Sequence, residues 1–268
     1  MKWSSDLSRY PAYLHNKIRK GRGMGSFDEY QPWVQKRDFG SAGNASTVQG
    51  IVIPRLHHVL SDLELIYLMM LERRPGVIDI REQWPILDID QTLAICEEVG
   101  EHHRYEEGAP VPFTLDFLVT FDVDGERRYE AKSVKSPADA RKPKVRKRLL
   151  VESLWCQSKN LRWDLIRTDG FYSAGKTTLI IANLSFMREW FSNRYEPDEK
   201  ELRQFVAVFS RYYDQGLRLD EIMARCVQVL RVSEGHADNM FRYALWRRDI
   251  KVSLSEKIGY DRPLILKK

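Results

Sequence analysis

The sequence has little cysteine and no long apolar segment. Its three cysteines, Cys96, Cys156 and Cys226, are far apart and form no C-x-x-C pair, which argues against a disulfide framework and a structural zinc site. The N-terminus carries no apolar stretch of the secretory kind, and the longest apolar runs, such as residues 65–71, are far shorter than a membrane span. We therefore expect a soluble, cytoplasmic protein with no membrane partner.

Strong charge bias and low-complexity segments are absent as well. The 268 residues include 43 Lys and Arg against 38 Asp and Glu, and 43% of them are hydrophobic. These fractions exclude a collagen-like or disordered chain, and the length suffices for one large domain or two modest ones. The net charge of +5 permits a nucleic-acid partner without requiring one.

Residues 1–169 have the pattern of an α/β domain behind a glycine-punctuated N-terminal arm. Ser61 with Glu64 three residues later is a capping-box signal that predicts a helix over 61–73. Asp124-Gly125 predicts a tight hairpin turn between two strands. The remaining predicted elements are a short helix near 10–20, strands at 77–82, 113–121, 128–135 and 163–167, and a helix at 146–160.

Residues 170–268 predict a second, mainly helical domain. Helices are expected at 179–195, 199–214, 219–230 and 236–248, with short strands at 251–254 and 264–266. A helix, a turn, a helix and two short strands outline a winged helix-turn-helix domain, which binds DNA or a partner. Residues 170–177 match the phosphate-loop pattern G-x4-G-K-T, but the bulky Phe171 and Tyr172 favour an interdomain connection.

Three residues suit metal-assisted hydrolysis of a phosphodiester. The hairpin brings Asp116 and Lys135 to one edge of the sheet, because paired strands lie roughly 4.8 Å apart, and Glu64 approaches from the helix. Carboxylates are ligands that Mg²⁺ prefers, and a lysine stabilises developing negative charge. Spacing alone equally fits a capping glutamate, a strand aspartate and a solvated lysine, so both interpretations stay open.

Several motifs, in order over about residues 10–170, resemble the TnsA family, the endonuclease subunit of heteromeric, Tn7-like transposases. They are KGRGMG (20–25), YQPW (30–33), HHVLSDLEL (57–65), VIDIREQWPIL (77–87), FTLDFLV (113–119), SVKSP (133–137) and ESLW (152–155). The resemblance implies a restriction-endonuclease-like N-terminal domain and a winged-helix C-terminal domain.

The resemblance also implies roles for individual residues. Glu64 and Asp116 would be ligands of Mg²⁺, or of Mn²⁺ in its place, and Lys135 would be the catalytic lysine. Ser133 would occupy the position where restriction enzymes usually carry an acid, as a weaker third ligand. Glu152 would supply a further acidic group from the following helix.

A second register and a basic cluster complete the candidate site. Glu130-Ala-Lys132 is itself a literal Glu-x-Lys, and strand alternation puts it on the opposite face from Ser133 and Lys135. We expect the Ser133–Lys135 register, because the chain continues from it to Glu152 without a gap.

A basic cluster follows the Ser133–Lys135 motif, and we expect it to contact the DNA backbone. A solvated helix start is the alternative interpretation. The cluster consists of Arg141, Lys142, Lys144, Arg146, Lys147 and Arg148.

The expected function is therefore a Mg²⁺-dependent DNA endonuclease that cleaves the 5′ ends of a transposon, the non-transferred strands, during cut-and-paste transposition. The resemblance implies as partners transposon-end DNA, an RNase H-like transposase subunit and an AAA+ regulator ATPase. The departure at Ser133 favours an alternative, a non-catalytic DNA- or partner-binding module of the same complex. A free-standing restriction enzyme is a third, more distant alternative.

Overall fold

The computed structural model describes residues 1–38, 44–173 and 175–267. The chain divides into two compact units, Met1–Tyr172 and Ser173–Lys268, a division three residues beyond the predicted boundary at 169/170. Within the described residues, no helix is both long enough and apolar enough to cross a lipid bilayer.

The first unit is an α/β domain in which every element predicted around the candidate site forms. Its helices and strands, in chain order, are α1 (His15–Arg19), β1 (Ser46–Gln49), β2 (Leu56–Val59), α2 (Asp62–Glu72), β3 (Val77–Pro85), α3 (Ile89–Val99), β4 (Tyr105–Glu106), β5 (Ala109–Pro110), β6 (Thr114–Val123), β7 (Glu126–Lys135), α4 (Pro137–Arg141), α5 (Pro143–Ser158) and β8 (Arg162–Arg167).

A mixed four-stranded sheet with the order β3-β6-β7-β8 organises this unit. The β3–β6 and β6–β7 pairs are antiparallel, whereas β7–β8 is parallel. The predicted turn between β6 and β7 has φ values of 55° at Asp124 and 83° at Gly125. Both values are positive, as a two-residue type I′ hairpin requires, so this turn sets the register of the two central strands.

Helix α5 packs on the sheet through a hydrophobic cluster. Trp84 of β3 and Trp155 of α5 lie at its centre, with their rings 5.9 Å apart, and Trp3 stacks on Trp84 at 5.1 Å. Ala131 and Val151 join the same cluster and are fully buried. This packing holds the second half of α5 against the sheet.

Helix α3 was not predicted, although its ends carry readable signals. Asp88 occupies the N-cap position, and Gly100 ends the helix in the left-handed conformation, with φ of 65°. A C-terminal glycine of this kind satisfies carbonyls that the last turn leaves unpaired. The predicted helix near 10–20 is shorter than expected, since only His15–Arg19 is α-helical.

The second unit contains four of the described helices, α6 (Lys176–Ser192), α7 (Glu199–Tyr212), α8 (Leu219–Leu230) and α9 (Glu234–Arg247). The two short strands expected after them are reduced to one antiparallel bridge, between Val252 and Leu266. Backbone hydrogen bonds from Ser253 to Ile265 and from Lys267 to Lys251 flank it. The winged-helix assignment of this unit stays a prediction.

Candidate active site

Asp116 and Lys135 meet at the end of the two central strands. The Lys135 ammonium donates to Oδ2 of Asp116 at 2.8 Å, and the same oxygen accepts the backbone N–H of Val134 at 2.6 Å. Asp116 is buried, whereas the side chain of Lys135 keeps 29% of its surface exposed. The structure thus brings the two sequence-predicted groups into direct contact and leaves the ammonium accessible.

The hydrogen-bond pattern between β6 and β7 explains why Asp116 can make these contacts. Pairing between β6 and β7 ends at Phe117 and Lys132, while β6 continues to pair with β3 as far as Thr114. Beyond the last β6–β7 pair, the Asp116 carboxylate accepts the Val134 N–H, which keeps that buried donor satisfied. Both the backbone N–H of Val134 and the ammonium of Lys135 therefore hold the Asp116 carboxylate in place.

Glu64 lies in the first turn of α2, and three neighbours hold its carboxylate. The Ser61 hydroxyl caps the helix by accepting the Glu64 N–H at 3.2 Å, and it also donates to Oε1 at 3.2 Å. Oε2 accepts the backbone N–H of Leu60 at 2.9 Å and the side-chain amide of Gln83 at 3.1 Å. The predicted cap is present, yet the carboxylate is buried at 7% exposure rather than solvated.

Ser133 and Glu152 form a second buried contact at this edge. The Ser133 hydroxyl donates to Oε2 of Glu152 at 2.6 Å and accepts the indole N–H of Trp163 at 3.2 Å. Strand alternation puts Ser133 on the same face of β7 as Lys135. Helix α5 thus brings a second buried carboxylate to this edge of the sheet, against Ser133.

The electrostatics of the site show an excess of negative charge. Burial and the charge of Asp116 raise the pKa of Glu64 to about 7, and the same two causes raise the pKa of Glu152 to about 7. Burial lowers the pKa of Lys135, but Asp116 and Glu152 outweigh this effect, so its net pKa is raised. A bound divalent cation would relieve the repulsion among these carboxylates.

The alternative Glu-x-Lys pair lies on the other face of β7. Lys132 is buried there, where its ammonium contacts Glu130 at 2.6 Å and also pairs with Asp164 of β8. The structure therefore joins Lys132 to Glu130 and Asp164, and joins Lys135 to Asp116.

Gln83 is a site residue that sequence analysis missed. It lies in β3, is 3% exposed, and contacts Glu64 as described above. Its backbone φ is 48°, a left-handed value that residues other than glycine rarely adopt. No local sequence signal marks this conformation, since glutamine carries no preference for it.

A cleft of about 880 Å³ adjoins the site, with Gln83 and Thr114 in its lining. The remaining lining includes five basic side chains: Lys17, Arg104, Lys144, Lys147 and Arg148. Gln83 belongs both to this lining and to the contacts of Glu64, whereas Glu64, Asp116 and Lys135 are not themselves lining residues. Three acidic side chains, Asp38, Glu101 and Glu106, share the lining, so basic residues outnumber acidic ones by two. This balance favours an anionic polymer in the cleft.

Three of the six predicted DNA contacts belong to this cleft. Lys144, Lys147 and Arg148 line it, and Lys147 also donates to the carbonyl oxygen of Gly100 at 2.6 Å. The other three are exposed outside its lining: Arg141, Lys142 and Arg146. The structure thus separates the basic cluster into cleft residues and residues of the surrounding surface.

The carboxylates Glu64 and Asp116 are ligands of the chemical type that binds Mg²⁺ together with a substrate phosphate. Mg²⁺ usually takes one or two carboxylates, several waters and substrate phosphates. Among the described residues, no group of three or more His, Cys, Asp or Glu side chains is arranged to hold a metal by itself. Ser133, whose hydroxyl bonds Glu152, is the weakest donor of the predicted ligand set.

Comparison with known proteins identifies the part of the chain that carries this site. Residues 74–168 match the family described as "TnsA-like endonuclease N terminal". The match includes Gln83, Asp116, Lys135 and Glu152, while Glu64 lies ten residues before it.

One curated relative extends the resemblance. The chain is 34% identical over 150 residues to the Transposon Tn7 transposition protein TnsA of Escherichia coli. The aligned region covers 56% of this chain and 54% of the relative, so the chain spans about half the length of that protein. Together the two matches confirm the resemblance to the TnsA family that the sequence motifs indicated.

Proposed function

We propose that the protein is a metal-dependent DNA endonuclease subunit of a transposase. It would cleave the 5′ ends of the transposon, the non-transferred strands, during cut-and-paste transposition. The contact between Asp116 and Lys135, with Glu64 and Glu152 buried around it, is the observation that supports this most directly. The matches to a TnsA-like endonuclease domain and to a Tn7 transposition protein support the transposition context.

Each residue of the site has a distinct task in this proposal. Glu64 and Asp116 would hold Mg²⁺, or Mn²⁺ in its place, which polarises the phosphate and lowers the pKa of an attacking water. Lys135 remains protonated at neutral pH because its pKa is raised, so its exposed ammonium would stabilise the charge that develops on the phosphate. The basic side chains of the cleft would hold the DNA backbone.

The proposal includes partners, because backbone contacts orient a protein on DNA without reading sequence. An RNase H-like transposase subunit would cut and join the 3′ ends, and an AAA+ regulator ATPase would control the assembly, in the cytoplasm of a prokaryotic cell. The second unit would be a winged-helix domain that binds DNA or one of these partners.

One observation favours a second candidate, a non-catalytic DNA- or partner-binding module of the same complex. By the family resemblance Ser133 would occupy the position where restriction enzymes usually carry an acid, and its hydroxyl is hydrogen-bonded to Glu152 and Trp163. Such a module would keep the basic cleft and lack turnover.

A strand-mapped cleavage assay tests the proposal. Labelled transposon-end DNA is incubated with Mg²⁺, the cognate transposase and regulator, and either wild-type protein, Asp116→Asn or Asp124→Asn. We expect a 5′ cut with wild type and with the hairpin-turn control Asp124→Asn. Asp116→Asn should bind DNA as tightly but lose the 5′ cut. If wild type makes no 5′ cut while 3′ cutting proceeds, the chain is a binding module.

A further inference from the structure

Gln83 is a strained residue near the end of β3. Its φ of 48° belongs to the left-handed region, which is unfavourable for a side chain larger than glycine. Such conformations persist only where the surrounding structure imposes them, and they cluster at functional sites. Strand formation alone therefore does not explain the left-handed conformation of Gln83.

Neighbouring segments hold the backbone of Gln83 in this conformation. Its carbonyl oxygen accepts the N–H of Trp33 at 3.2 Å and the hydroxyl of Tyr30 at 3.4 Å. Segment 30–33 thus packs against β3 at the strained residue.

The residues on either side of Gln83 contact different parts of the fold. Glu82 bonds Arg55 and His57 near β2, whereas Trp84 packs against Trp155 of α5. Residues i and i+2 of a regular strand share one face. The left-handed conformation therefore interrupts the alternation of β3 at Gln83.

The side chain of Gln83 contacts one candidate metal ligand, Glu64, and its ladder position lies opposite the other, Asp116. Its amide nitrogen donates to Oε2 of Glu64 at 3.1 Å. On the ladder it falls between the pairs Glu82–Phe117 and Trp84–Leu115, which puts it opposite Asp116. It is also a lining residue of the basic cleft.

We propose that Gln83 is a positioning residue of the nuclease, and that its amide holds the Glu64 carboxylate in the orientation in which Glu64 and Asp116 bind the divalent cation. This inference rests on the proposed function. An amide suits the task because it donates a hydrogen bond without bringing charge: a lysine would compete with the metal for the carboxylates, and a third carboxylate would repel them. Partners that orient metal ligands typically contribute 10- to 100-fold, in order of magnitude, to affinity or activity.

Two substitutions of Gln83 separate its amide from its backbone strain. Gln83→Ala removes the amide and keeps a side chain at positive φ, whereas Gln83→Gly removes the amide and relieves the strain. Gln91→Ala is the matched control, because it truncates a glutamine that bonds Ser158 on α5, away from the site. Full-length proteins would be compared by calorimetric titration with Mn²⁺, by the cleavage assay and by thermal unfolding.

We expect both Gln83 variants to bind Mn²⁺ and to cleave about 10- to 100-fold less well than wild type, with an unchanged KM for DNA. Gln83→Gly should unfold at a higher temperature than Gln83→Ala, and Gln91→Ala should match wild type in affinity and cleavage. If Gln83→Ala and Gln83→Gly have the same reduced metal affinity despite their different stabilities, the reduction comes from the loss of the amide and not from the backbone strain.

Two results would overturn the role of Gln83 alone, given a wild type that binds Mn²⁺ and cuts. One is wild-type Mn²⁺ affinity in both variants. The other is wild-type affinity and cleavage in Gln83→Gly with a loss in Gln83→Ala, because the effect would then follow the backbone. A wild-type protein that neither binds Mn²⁺ nor cuts would overturn the proposed function and this inference with it.

Discussion

The two faces of β7 each carry a lysine, and the same substitution should affect them in opposite ways. Lys132→Met and Lys135→Met both remove an ammonium and keep an apolar stem of similar length. We predict that Lys132→Met loses much stability and retains cleavage, whereas Lys135→Met loses less stability and loses cleavage.

The expected loss at Lys132 follows from the burial of its partners. The side chains of Lys132 and Glu130 are 4% and 14% exposed, and that of Asp164 is 33% exposed. Removing one partner of a buried ion pair costs about 3–5 kcal/mol, and the solvent access of Asp164 reduces this to about 2–4 kcal/mol. At about 2–4 °C per kcal/mol for a domain of this size, the Tm should fall by roughly 5–15 °C.

The expected loss at Lys135 is catalytic instead. Its side chain is 29% exposed, against 4% for that of Lys132, so we expect a smaller loss of stability than at Lys132, although Asp116 itself is buried. Removing one preorganised donor to developing charge typically lowers kcat by about 10²–10³-fold. Asp116 keeps its bond to the Val134 N–H, so the carboxylate stays in place.

Thermal unfolding and single-turnover cleavage, at a temperature where both variants are folded, check this pair of predictions. A folded Lys132→Met protein that fails to cut, beside a Lys135→Met protein that cuts, would show that Glu130 and Lys132 form the catalytic motif. An unchanged Tm in Lys132→Met would refute the reasoning about buried charge.

Three further predictions concern the surroundings of the site. Burial raises the pKa of Glu82, but the hydrogen bonds and charges of Arg55 and His57 outweigh it and hold that pKa far below its usual 4.5. The ionised Glu82 therefore stabilises the folded protein fully above pH 4.5, and this stabilisation is lost progressively as the pH falls below 4.5. In urea titrations, the free energy of unfolding of wild type should therefore drop more steeply under about pH 5 than that of Glu82→Gln, and parallel curves would contradict this. In a plot of the logarithm of the DNA-binding constant against the logarithm of salt concentration, Lys144→Ala should reduce the steepness of the slope by about 1. The control Arg128→Ala, near the hairpin turn, should leave the slope unchanged. An unaffected slope in Lys144→Ala would show that Lys144 does not contact DNA. Ser133→Ala should lower the free energy of unfolding, measured in urea titrations, by about 1.5–3 kcal/mol, the range for hydrogen bonds to charged groups. The reason is that Glu152 loses the hydroxyl that donates to it at 2.6 Å. Unchanged stability would argue against that bond.

Short-range signals predicted the elements around the site. The Asp124-Gly125 turn restricts the backbone to positive φ at two successive residues, and this fixes how β6 and β7 pair. The Ser61 cap likewise marks the start of α2, because its hydroxyl accepts the N–H of Glu64. Both signals act within four residues, so they can be read without knowledge of the fold.

Longer-range features were predicted less well. The expected strands near Val252 and Leu266 form only a single bridge, because neither segment finds a longer partner among the described residues. Alternation assigns the Glu130–Lys132 pair and the Ser133–Lys135 pair to opposite faces. Only the positions of Asp116 and Asp164 on neighbouring strands show which lysine each aspartate contacts.

The sequence by itself determined the turn, the helix cap, the meeting of Asp116 with Lys135 across a local hairpin, and the resemblance to the TnsA family. Only the tertiary structure decided that Glu64 receives the amide of Gln83 and that Glu152 lies against Ser133. The physical reason is that a left-handed glutamine and a buried carboxylate are each unfavourable alone. Packing between distant elements has to stabilise them, and no local pattern encodes that packing.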